Sequence, residues 1–107
     1  MSVGNPVLCV RFTRTDYLRA NALAAKESMP LSAWMRDVAL TRAHQVISKL
    51  KVQPLPKAVP GTEQVCIRFR PTDYTAVRKA AATESTILSA WIRAAVVQAT
   101  QVFRKTA

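Results

Sequence analysis

Acidic residues are scarce in this chain: six Asp and Glu stand against 16 Lys and Arg, which leaves a formal charge of +10 and an isoelectric point near 10.7. For so small a protein that imbalance favours polyanionic partners, nucleic acid first and an anionic membrane surface second. Glycine is almost missing, and the two present are too few for a phosphate-cradling loop. The single histidine, His44, has no carboxylate or cysteine pattern around it, so a surface residue is its default reading. Cys9 and Cys66 have no second Cys or His nearby, which indicates neither a zinc spacing nor a disulfide framework; two reduced thiols are expected. No apolar run approaches the ~20 residues that span a bilayer. The first residues, MSVGNPV, lack a basic region followed by an apolar run. A soluble, cytoplasmic protein that is not an enzyme is expected, with no catalytic residue, metal, cofactor or membrane partner.

What the chain does have is a repeat. Shifted by 57 residues, Cys9 to Arg36 aligns with Cys66 to Arg93 without a gap, and 15 of the 28 positions are identical. Duplication explains this. Residues 51–62, KVQPLPKAVPGT, carry three prolines and a glycine and read as a linker between a first repeat at 7–50 and a second at 63–107. Two copies are too few for a solenoid. At 107 residues the chain has room for one core and not two, so residues 1–107 are expected to form one intertwined domain.

Each repeat has the same grammar. Leu8, Val10 and Phe12 alternate with Cys9, Arg11 and Thr13, and Val65, Ile67 and Phe69 alternate with Cys66, Arg68 and Arg70, which is the period of a strand with one buried face. Thr15-Asp16 and Thr72-Asp73 then supply a capping hydroxyl and a carboxylate suited to the start of a helix. Apolar residues at helical spacing run from Tyr17 to Ala24 and from Tyr74 to Ala81, followed by a tight turn near residues 26–28 and 83–85. A second helix opens at LSAW in both repeats and is expected to reach about residues 48 and 104. Its stripe takes in Trp34 and Trp91, for which core packing is preferred over stacking on single-stranded bases.

A lone strand has no partner, so the two halves must complete each other. Antiparallel pairing puts Val10, Phe12, Ile67 and Phe69 on one face, under four helices, and leaves Cys9, Arg11, Thr13, Cys66, Arg68 and Arg70 on the other. A pairing centred on residues 11 and 68 would set Arg11 beside Arg68, an arrangement that is costly unless an anion arrives. A two-stranded ribbon fits the major groove of B-form DNA, and arginine can donate two bonds to guanine. Free amides at Leu31 and Ser32, and at Leu88 and Ser89, would bind flanking phosphates.

With those residues in place, LCVRFTRTDYLRANALAAKESMPLSAWMRDVAL and VCIRFRPTDYTAVRKAAATESTILSAWIRAAV each resemble a ribbon-helix-helix unit of the Arc and MetJ type. The resemblance implies an α+β, mostly helical fold: a tandem ribbon-helix-helix pseudo-dimer with a two-stranded antiparallel ribbon and four helices. It also implies sequence-specific binding of double-stranded DNA, with Cys9, Arg11 and Thr13, and Cys66, Arg68 and Arg70, as the base-facing positions. LSAWIR most resembles plasmid-transfer proteins of the TraY and MobC kind. That implies a relaxosome accessory factor or transcriptional repressor in the bacterial cytoplasm, with a relaxase or other transfer protein as partner and cooperative neighbours on DNA. Departing from the pattern, Thr13 aligns with Arg70, and cysteine is an unusual reading residue.

Other assignments complete the reading. Arg36 and Arg93 have two roles open, pairing with an acidic residue or touching phosphate. For Cys9 and Cys66, small apolar filler or contact with a thymine methyl is preferred to redox sensing. Arg14, Arg19, Lys26, Arg42, Arg78 and Lys79 are expected to form an exposed fringe. The alternative function is an antitoxin-like or other protein-interaction module with DNA-binding autoregulation, placed second because few residues follow the last expected helix.

Overall fold

A computed structural model describes residues 4–105, with side chains from 4 to 101; the outermost residues of the expected 1–107 domain lie outside the described residues. The period-two segments form β1 (Val7–Phe12) and β2 (Glu63–Arg68), which pair antiparallel in a two-stranded sheet. Two helices follow each strand: α1 (Arg14–Lys26) and α2 (Leu31–Ile47), then α3 (Pro71–Thr83) and α4 (Leu88–Lys105). The chain is therefore α+β and mostly helical. Val10, Phe12, Ile67 and Phe69 are buried on the inner face of the sheet and share one core with Ala20, Trp34, Val77 and Trp91, one residue from each helix. Each large buried side chain contributes about 2–3 kcal/mol by leaving water. Both tryptophans are core residues, as the helical spacing predicts. The second helix of each repeat packs on the strand of the other, α2 on β2 and α4 on β1.

The register differs from the one expected. Cys9 faces Cys66, Arg11 faces Gln64 and Arg68 faces Val7, so the pairing is centred on the cysteines and not on residues 11 and 68. The physical reason is that only one position of a duplicated strand can face its own copy, and here that position is cysteine. Phe69 N–H donates to the Pro6 carbonyl at 2.9 Å, extending the ladder in the same register.

Helix starts also shift. Thr13, not Thr15, caps α1, its hydroxyl accepting from Asp16 N–H at 3.1 Å. In the second repeat Arg70 holds that place without a side-chain bond, and Pro71 opens α3, where an N–H is not needed. Helix ends are closed by backbone bonds from Met29 to Ala24, Leu50 to Gln45 and Thr86 to Ala81, each 2.9 Å. The residues just before the donors, Ser28, Lys49 and Ser85, take positive φ of 58, 59 and 55°, which completes three left-handed helix terminations without glycine.

The linker is strapped to the body. Val52 and Leu55 pack on the core, and a Cβ on Gly61 would collide with the Phe12 carbonyl oxygen and the Thr13 backbone, so only glycine lets the chain pass the corner after β1.

Arg42 departs from the expected exposed fringe: it is 5% exposed and sits between elements. Its Nε and Nη2 donate to the two Glu84 carboxylate oxygens at 2.8 and 2.7 Å, Nη1 to Gln98 at 2.9 Å, and Nη2 also to the Gln53 carbonyl at 2.9 Å. Trp91 Nε1 donates to the same carboxylate at 2.9 Å. The Arg42 hydrogen bonds, helped by the Trp91 donor and the Arg42 charge, hold the Glu84 carboxyl below its ordinary pKa, against the opposing pull of burial. A carboxyl lowered in the folded state adds stability above its unfolded pKa, and that stability is lost as pH falls through the folded value. Arg42→Met is expected to cost about 2 kcal/mol at neutral pH in urea unfolding, below the range for a fully enclosed pair because 19% of the Glu84 side chain is exposed. The difference from wild type is expected to narrow below roughly pH 4. A pH-independent difference would contradict the ionised pair.

Candidate nucleic-acid interface

Because side chains alternate along a strand, burying Val10, Phe12, Val65 and Ile67 turns Val7, Cys9, Arg11, Gln64, Cys66 and Arg68 outward. All six except the two sulfur-bearing positions differ from their facing partner: the rows across the ribbon are Val7 with Arg68, Cys9 with Cys66, and Arg11 with Gln64. No acid lies among them. Of the residues expected to face bases, Cys9, Arg11, Cys66 and Arg68 are on this face. Thr13 and Arg70 are not, since β1 ends at Phe12 and β2 at Arg68. Val7, half exposed, and Gln64 complete the outward set, facing Arg68 and Arg11.

The two arginines are not side by side. Arg68 faces a residue four positions from Arg11, which separates the two along the ribbon by ~13 Å and removes the like-charge conflict expected between them. Between them lie the cysteines. Contrary to the expectation of two thiols, Cys9 and Cys66 are joined as a disulfide, because the register brings them into direct opposition. The sulfurs occupy the middle of the open face as a neutral, apolar bridge between two cations.

Both outward arginines are fixed through their backbones by an arginine of the other repeat. Arg36 Nη1, on α2, donates to the Arg68 carbonyl at 2.9 Å, and Arg93 Nε, on α4, donates to the Arg11 carbonyl at 2.7 Å. The acid pairing left open from the sequence is not what is observed among the described residues, since each guanidinium bonds a backbone carbonyl instead. The carbonyls they use lie at the ends of the ladder, where a strand would otherwise fray. Burial alone pulls the Arg93 pKa below its ordinary value, and the guanidinium remains charged. Sequence reasoning missed this contact, although the identity of Arg36 and Arg93 in both repeats marked the position.

Arg70 lies instead beside a cleft of about 340 Å³ at the start of α3, lined also by Asn5, Arg36, Arg68, Phe69 and Asp73. Three arginines and one acid, Asp73, therefore line one cleft at one end of the ribbon. Leu31 and Ser32 open α2 and Leu88 and Ser89 open α4, as expected. The first helical bonds close only at Trp34 N–H to the Pro30 carbonyl, 3.0 Å, and Trp91 N–H to the Ile87 carbonyl, 2.8 Å. The amides of those four residues thus have no acceptor within their helices. Arg14 lies near Glu63 at 3.7 Å, and Arg78 stands 5.8 Å over the Tyr74 ring; both remain on the exposed surface.

The crossed anchors predict a selective loosening. Arg93→Met is expected to speed amide exchange in β1 around Arg11, and Arg36→Met in β2 around Arg68, each lowering stability by about 1 kcal/mol. Hydrogen exchange that rises equally in both strands for either variant would contradict the assignment. No protein-family model, curated protein or solved structure matches the chain.

Proposed function

We propose that the chain is a sequence-specific double-stranded DNA-binding protein of the ribbon-helix-helix kind, a tandem pseudo-dimer that inserts its two-stranded ribbon in the major groove. The observation that carries this reading is the outward face of the antiparallel ribbon, which carries no acid and on which the register sets Arg11 and Arg68 ~13 Å apart, each with its carbonyl bonded by a crossed anchor. A formal charge of +10 supplies the long-range attraction. The arginines suit guanine O6 and N7, Gln64 suits adenine, and the apolar Val7 suits a thymine methyl. At 3.4 Å per base along a strand, the arginine separation corresponds to roughly four base-pair steps.

The two ends of the face are chemically unlike, Arg11 with Gln64 and Arg68 with Val7, so the recognised site is an imperfect palindrome. Phosphates on either side are taken by the free amides of Leu31, Ser32, Leu88 and Ser89, and by the cleft beside Arg70. The role favoured by this chemistry is a plasmid-transfer accessory factor or a transcriptional repressor, acting in the bacterial cytoplasm with a relaxase or other transfer protein. Neighbouring copies at about one helical turn, roughly 10 bp, would bind cooperatively. No helix among the described residues is long and apolar enough to cross a membrane. A reducing cytoplasm would open the Cys9–Cys66 bridge to two thiols. The register would persist, because the strand ladder and the two arginine anchors hold it independently.

Selection of bound duplexes from a random pool, by the wild type and by single alanine variants of Arg11 and Arg68, tests the reading. Each substitution is expected to lose ~1–3 kcal/mol on the selected site and to relax one guanine preference. Thr13→Ala, by contrast, is expected to lower stability by about 1 kcal/mol through the lost cap and to leave the selected sequence unchanged. Equal weakening on every sequence by the arginine variants would reduce them to phosphate contacts and remove the ribbon as reader.

A further inference from the structure

One position of the repeat is used in two different ways. In α2 it is Arg42, whose guanidinium is held by Glu84, Gln98 and the Gln53 carbonyl, with Trp91 bonded to the same carboxylate. In α4, 57 residues later, it is Ala99. The residues that correspond to Glu84, Trp91 and Gln98 are Glu27, Trp34 and Thr41, and together with Ala99 they line a cavity of about 390 Å³. Shortening the arginine to alanine leaves the space. α1 also packs less extensively on α4 than α3 does on α2.

The walls of the cavity repeat the groups around Arg42, an indole donor suited to a carboxylate and carboxylates suited to a cation. Trp34 is 2% exposed, yet its indole N–H donates to no group among the described residues, whereas Trp91 donates to Glu84. Its nitrogen is not sealed off without a partner, and Trp34 lines the cavity. Glu27 and Asp37 both line the cavity and make no ion pair among the described residues. Two unneutralised carboxylates at one place are notable on a chain with only six acidic residues. Arg42 also borders the cavity, but its charge is balanced by Glu84 at 2.7 Å.

From the matched pair of sites we infer that the cavity is a receptor for an arginine side chain donated by a partner protein. The incoming guanidinium takes the Glu27 carboxylate through two parallel bonds, as Arg42 takes Glu84, with Asp37 as a second acceptor. The planar fork suits this geometry better than a lysine ammonium does. No ribbon residue lines the cavity, so it can be occupied while the outward face is engaged.

The test is a titration of the isotope-labelled protein with N-acetylargininamide, read at the Trp34 indole N–H. A saturable shift of Trp34 without one of Trp91 is expected. Glu27→Gln is expected to weaken it about tenfold, the loss of one charge-assisted pairing. Ala99→Arg, which supplies the guanidinium from the chain itself, is expected to abolish probe binding and raise the melting temperature. The same shift on concentrating the protein without probe also supports the receptor and identifies a second copy as donor. No saturable Trp34 shift, or one that survives both substitutions, overturns the inference.

Discussion

The opposition of Cys9 and Cys66 in the antiparallel ladder is the constraint on which the rest of the structure depends. It places the two repeats head to head at one residue and thereby decides every other row of the ribbon. Arg11 and Arg68 move to opposite ends, where each carbonyl meets an arginine from the other repeat's second helix. Those helices can reach because α2 lies on β2 and α4 on β1. Neither half could bury its apolar face alone, since each strand needs the other for its ladder and each second helix needs the other strand for its core contact.

Within this shared frame the two halves have diverged where divergence is tolerated. The inner face and the anchoring arginines are alike in both, because a change there would disturb the common core or the ends of the ladder. One outward position of the ribbon and sites near the ends of the helices differ. Val7 corresponds to Gln64, Thr13 to Arg70, and Arg42 to Ala99. The first difference makes the ribbon face directional. The last leaves one side of the α2 and α4 pair locked by a five-partner polar network and the other open. A duplicated chain can make such changes singly, whereas in two identical chains every substitution would appear twice.

Much of this was legible in the sequence, and the failures have specific physical causes. Alternation at Leu8, Val10 and Phe12 reported which face is buried, and the Pro-rich segment reported the linker. Alternation cannot report the register, because sliding the pairing by an even number of residues keeps every side chain on its face. The expected centre at residues 11 and 68 was wrong in that way, and the opposed arginines followed from it; the reduced thiols were expected because neither cysteine has a second Cys or His near it in the sequence, and a partner 57 residues away leaves no local pattern. A clash between arginines was itself a signal for the other register. The cap was misplaced by two residues because Thr13 and Thr15 offer the same hydroxyl. Arg42 looked like any surface arginine on a helix; its partner Glu84 is 42 residues away, beyond any local pattern. Arg36 and Arg93 were marked by identity, but a side chain that bonds a backbone carbonyl leaves no complementary residue to find.

The outward ribbon face either meets duplex DNA or does not. Backbone amide shifts of the labelled protein, followed on adding a selected duplex, measure this residue by residue. The largest changes are predicted in Val7–Phe12 and Glu63–Arg68, with smaller ones at the starts of α2 and α4 and almost none around Glu27 and Ala99. Shifts confined to the helices, with the ribbon unmoved, would contradict it.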